Sequence, residues 1–172
     1  PFAVSEPWRQ FVQGAQRAAH RLHATVASAD AGPLKDRMTT IVDRLDDGLT
    51  ETWTIARRGD QIDDTVRRLD PTSLRSKQAS LEERLATAPS DDLDAALASV
   101  RSQIDSTERL KAESAKTADR LRLTQTRLDE LVTRAAEVAI GAGDTDAYEH
   151  DVDDLVIELE ALRQAVEETN RP

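Results

Sequence analysis

The chain has 172 residues, 38% hydrophobic, 33% charged and 3% aromatic, a length that fits one elongated domain or two small ones. Thirty-three acids against 23 bases give a net charge of −10, so the chain lacks the basic footprint that nucleic acid or an anionic membrane surface requires. No run approaches the ~18 apolar residues of a membrane span, and the absence of cysteine excludes disulfides, thiolate metal sites and thiol nucleophiles.

Helical periodicity begins at once. Trp8, Val12, Ala15, Ala19, Leu22, Val26 and Ala29 recur three or four apart, with Ser5 as the expected cap before Glu6 and Pro7, which predicts a helix near 5–30. Ala31-Gly32-Pro33 stops it and restarts the chain. From Leu34 a heptad seam runs through Met38, Ile41, Leu45, Gly48, Thr52, Ile55, Gly59, Ile62, Val66 and Leu69, with eight large apolar residues in eleven places. Asp70-Pro71 reads as an N-cap followed by the first helical residue, so a new helix covers 71–87 until Ala88-Pro89-Ser90 turns the chain.

Asp91 and Asp92 then open a helix of about fifty residues. Its seam is Leu93, Leu97, Val100 and Ile104, a weaker stretch of Thr107, Lys111, Ser114 and Ala118, then Leu121, Gln125, Leu128 and Val132. Gly141-Ala142-Gly143 ends it, Asp144 caps the next, and Tyr148, Val152, Leu155, Leu159, Leu162 and Val166 line a final helix near 145–169. No window shows strand alternation with β-branched enrichment. The expected fold is all-α.

Lengths predict how the helices pair. Residues 34–87 and 91–140 would span roughly 80 and 75 Å, which suggests one antiparallel hairpin turning at Pro89. The first and last helices fold back from its open end to complete an elongated antiparallel bundle. A single domain is expected, with its base at about 5–59 and 116–169 and a coiled-coil arm at about 60–115. In that register Gly59 lies beside Ala118 or Asp119, and Trp53 faces Phe11 one turn from Trp8. The rival topology folds 71–87 back against 55–69.

Chemistry-bearing patterns are few. His20 and His23 share a helix face, but the sequence suggests no third metal ligand, and no histidine follows an acid by three positions as a di-metal bundle requires. The run Asp144, Asp146, Glu149, Asp151, Asp153 and Asp154 lacks the grammar of a calcium loop and reads as capping plus surface charge. Residues 144–172 hold ten acids against two bases, so Asp146, Glu149, Asp153, Glu160 and Glu167 could face a basic partner or solvent alone. Arg58-Gly59-Asp60 spells an adhesion tripeptide inside a heptad seam. No phosphate loop, nucleophile elbow or acid–base pair is present, so the sequence points to no catalytic residue, no cofactor and no metal, and to a protein that is not an enzyme.

Gly48, Thr52 and Gly59 weaken one seam and Thr107, Lys111 and Ser114 the other, which predicts that 60–115 is the more mobile half and a contact region for a protein partner or a second copy. The stretches WTIARRGD at Trp53–Asp60, DRLRLTQTRLDEL at Asp119–Leu131 and DVDDLVIELEALRQ at Asp151–Gln164 resemble the soluble helical region of uncharacterised actinobacterial membrane proteins. That resemblance implies a cytoplasmic segment tethered to the inner membrane by hydrophobic helices upstream. It agrees with a chain that starts at Pro1 and holds its only methionine at Met38, and with arginine outnumbering lysine nineteen to four. The expected function is a non-catalytic helical scaffold or interaction module. A signal-relaying bundle and an envelope-stress membrane-remodelling hairpin are the alternatives, the latter disfavoured by the lack of a basic amphipathic face.

Overall fold

A computed structural model describes residues 3–169, so the expectation resting on Pro1 falls outside the described residues. Every regular element among them is an α-helix: α1 (Trp8–Ser28), α2 (Pro33–Leu69), α3 (Pro71–Thr87), α4 (Asp91–Ala139) and α5 (Thr145–Glu168). None is long and apolar enough to cross a membrane.

The stops follow local chemistry. Asp70 adopts a left-handed conformation (φ 48°), which ends α2, and its carboxylate accepts the Ser73 N–H at 3.2 Å, which starts α3 ahead of Pro71. Gly141 (φ 76°) closes α4: its N–H donates to the Val138 carbonyl and that of Ala142 to the Glu137 carbonyl, both at 3.0 Å. These two bonds occupy carbonyls that the helix end would otherwise leave open. Asp144 accepts the Ala147 N–H at 3.1 Å and caps α5. The start of α1 differs from expectation. Pro7 holds the cap position, and Ser5 contributes its main-chain carbonyl, which accepts the Arg9 N–H at 3.0 Å.

The chain divides into two compact units, Pro1–Gly59 with Thr117–Pro172, and Asp60–Lys116. In the first, α1, the α2 segment up to Gly59, the α4 segment from Thr117 and α5 enclose one apolar core. Cross-helix pairs fix their senses. Trp8 lies on Gly59 while His23 meets Asp46, so α1 and α2 run oppositely, as do α4 and α5 through Arg127–Glu158 and Arg134–Asp151. On the other two sides the numbers rise together: Gly48 abuts Val156 and Arg44 pairs with Asp153 between α2 and α5, and Phe11 meets Arg122 while Gly14 meets Gln125 between α1 and α4.

This register corrects the aromatic arrangement expected from the sequence. The Trp8 ring occupies the space over Gly59 and meets Phe11 edge-on, with centroids 6.1 Å apart. Trp53, expected opposite Phe11, borders a groove with Val12 and Ala15. The cause is the missing side chain at Gly59: an indole fits there, and α1 lies about one turn farther along α2 than turn length alone suggests.

The width of the buried face changes along α2. Before Gly59 the seam residues Met38, Ile41, Leu45 and Ile55 are joined in the core by Val42, Leu49 and Ala56, the wide stripe of a globular helix. In the second unit α2 buries only Ile62 and Val66 among its apolar side chains, a narrower stripe. That unit pairs α2 and α3 with α4 in opposite sense through Asp63–Ser114, Arg75–Glu108 at 2.9 Å and Glu82–Arg101 at 3.2 Å. The rival reversal of 71–87 onto 55–69 is therefore not adopted.

The α4 seam also differs from expectation. Lys111 is exposed and lies 3.8 Å from Glu108, and Leu110 turns inward in its place. Gln125 is half-buried against Gly14 of α1, and beside it Thr124 is buried with its hydroxyl donating to the Arg120 carbonyl at 3.0 Å. Burying an unpaired ammonium costs several kcal/mol, so the helix turns Lys111 outward.

Candidate functional site

The acidic run of α5 is largely committed to neighbours. Asp144 caps the helix. Arg37 donates to Asp146 at 2.5 Å and to Glu149 at 2.7 Å, Arg44 pairs with Asp153, Arg134 with Asp151, and Glu167 with Arg163. The hydrogen bonds that Arg37 donates to Asp146 and Glu149 raise its pKa, and the bond that Arg44 donates to Asp153 raises that of Arg44. Asp146, Glu149 and Asp153 thus bind α5 to α2, and Asp151 binds it to α4. Of the five expected to face a basic partner, Glu160 alone has no ion pair among the described residues.

The adhesion tripeptide is equally constrained. Arg58-Gly59-Asp60 lies within α2, with Gly59 buried under the Trp8 ring, so it forms no protruding loop.

His23 acquires partners that the sequence did not suggest. It projects from α1 onto α2, where its Nε2 contacts Asp46 Oδ2, and Asp43 completes a group whose donor atoms all lie within 4.8 Å of one another. The backbone beneath is fixed by the core: Leu22, Val42 and Leu45, the sequence neighbours of the three, are at most 1% exposed. His20 stays outside the group and lies on the surface with Gln13, Arg17 and Arg21. His150 pairs with Asp154 one turn along α5, at 3.4 Å. Sequence reasoning missed Asp43 and Asp46 because they read as solvent-facing acids of a heptad helix. Their three-residue spacing was the available signal, and the one-turn shift of α1 brings His23 opposite them.

Asp46 also borders an open groove of about 360 Å³ lined by Val12, Ala15, Leu49, Thr52 and Trp53. Two of the groove's oxygens, Asp46 Oδ1 and Thr52 Oγ1, are shielded from solvent and have no hydrogen-bond partner among the described residues.

The second unit offers a different surface. Leu97, Val100 and Leu74 are buried, but Leu81, Leu85, Leu93, Ile104 and Leu110 are only half-buried in the hairpin. Thr107 and Ser114 replace large side chains at its seam; the Thr107 hydroxyl donates to the Gln103 carbonyl at 2.9 Å and the Ser114 hydroxyl to the Asp63 carboxylate. The hairpin is thus satisfied in its polar groups and incompletely covered in its apolar ones.

Compared with protein-family models, curated proteins and solved structures, the chain finds no match in any of the three.

Proposed function

We propose that the chain is a non-catalytic helical scaffold, an antiparallel bundle whose coiled-coil hairpin, residues 60–116, supplies the surface on which a protein partner docks, with a second copy of the chain as the occupant. One observation carries this reading: the wide buried face of α2 narrows beyond Gly59, and the hairpin leaves Leu81, Leu85, Leu93, Ile104 and Leu110 half-covered. Covering what each side chain still exposes gains a fraction of the about 1.5–3 kcal/mol that burying a fully exposed Leu or Ile is worth, and a further helical surface completes that burial. Following the family resemblance, the scaffold is the cytoplasmic part of a bacterial membrane protein, held at the inner membrane by a segment upstream.

Static light scattering of the full chain over a range of concentrations tests the docking surface. The expected result is a dimer that Leu85→Gln with Ile104→Gln converts to a monomer, with helical circular dichroism preserved. A wild-type chain that stays monomeric at millimolar concentration overturns it. Liposome co-sedimentation distinguishes direct lipid binding, for which the acidic surface is unsuited.

A further inference from the structure

We propose that His23, Asp43 and Asp46 bind one divalent transition-metal ion between α1 and α2, with solvent completing its coordination. The donor set is one imidazole nitrogen and two carboxylates, and the three donor atoms already lie within 4.8 Å of one another. A single ion at bond lengths of about 2.0–2.2 Å can be reached by donors so placed after small side-chain rotations. Asp43 and Asp46 are three apart on α2, so both project from one face toward the same point. His23 reaches that point from the opposing helix.

A separate observation points to a cation. Asp46 uses Oδ2 on His23 and leaves Oδ1 shielded from solvent without a hydrogen-bond partner. A carboxylate oxygen held this way is costly unless positive charge offsets it. A divalent ion shared by the three residues supplies that charge. His23 remains half-exposed, with a side chain at 49%, which leaves a route for the ion and room for water ligands.

The chemistry of the donors selects the metal class. An imidazole ligand disfavours magnesium and calcium, which take oxygen donors, and suits zinc, cobalt or nickel. Because Leu22, Val42 and Leu45 anchor the backbone under all three ligands, the site is preorganised by the core. Metal there would clamp α1 onto α2, since binding to the folded state alone adds to its stability.

Zinc titration of the full chain by isothermal calorimetry, with the unfolding midpoint as a second readout, tests the proposal. The wild type binds one zinc ion per chain, its midpoint rises with zinc, and excess magnesium does not compete. His23→Ala and Asp43→Asn each weaken binding by more than about tenfold and abolish the midpoint shift. Both sites are exposed, and unchanged circular dichroism verifies that the variants fold. His20→Ala and His150→Ala bind as the wild type does. Absence of saturable binding by the wild type overturns the proposal, as does equal binding by His23→Ala or loss of binding in His20→Ala.

Discussion

The indole of Trp8 rests directly on the backbone of Gly59, in the space a side chain would otherwise fill. A Cβ at Gly59 would overlap three atoms of that ring, and Trp8 is fully buried and cannot swing away. Overpacking of this kind costs about 1–3 kcal/mol, more than the ~1 kcal/mol that alanine gains over glycine in a helix. Gly59→Ala should therefore destabilise the chain in urea unfolding, and should do so much less in a Trp8→Leu background. Gly14 supplies the contrast. The atoms nearest its added Cβ belong to the terminal amide of Gln125, the far end of a flexible side chain that can shift away, so Gly14→Ala should stabilise by about 0.5–1 kcal/mol.

At Asp70 two demands meet in one residue, a left-handed backbone and an N-cap. Asparagine satisfies both, glycine only the first and alanine neither. Thermal unfolding should rank Asp70→Asn nearest the wild type, then Asp70→Gly, with Asp70→Ala lowest by about 1–2 kcal/mol.

Tyr148 is buried, and its hydroxyl has no hydrogen-bond partner among the described residues. Burial raises its pKa from 10.0 to about 12. The unfolded chain therefore loses this proton first. Stability is intact below pH 10 and falls as the pH rises through the interval up to about 12, by roughly 2–3 kcal/mol in total. Denaturant titrations of wild type and Tyr148→Phe should diverge over that interval, the variant being flatter. At neutral pH the variant should equal the wild type or exceed it by up to about 1 kcal/mol, because an unsatisfied hydroxyl has been removed.

The narrow seam of the hairpin also predicts its dynamics. With few fully buried large side chains and Thr107 and Ser114 at seam positions, amides in 60–116 should exchange with solvent faster than those flanking Met38, Ile55 and Leu128. Hydrogen exchange followed by mass spectrometry reads this directly, and equal protection in the two units would contradict it.

The all-α character and the helix breaks were legible because they depend on neighbours in sequence. Pro33, Asp70-Pro71 and Gly141 act within a few residues of themselves, and the observed breaks fall there. Capping of α1 was less legible, since Ser5 and Pro7 both suit a helix start and the choice between them is settled by main-chain geometry. The register of α1 on α2 was not legible at all. It depends on Trp8 filling the gap at Gly59, a fit between residues fifty-one positions apart, and an error of one turn was enough to hide His23 from Asp43 and Asp46. Lys111 was misplaced for a related reason: seams spaced by threes and fours admit two neighbouring frames, and desolvation selects between them.

Trp8, Trp53, Phe11 and Tyr148 all belong to the first unit, and Asp60–Lys116 contains no aromatic residue. Intrinsic fluorescence is therefore blind to the hairpin, while the far-ultraviolet signal sums helices from the whole chain. Melting curves from the two probes superimpose only if both units unfold as one cooperative body, so the distribution of chromophores turns an ordinary pair of spectra into a gauge of how independently the hairpin melts.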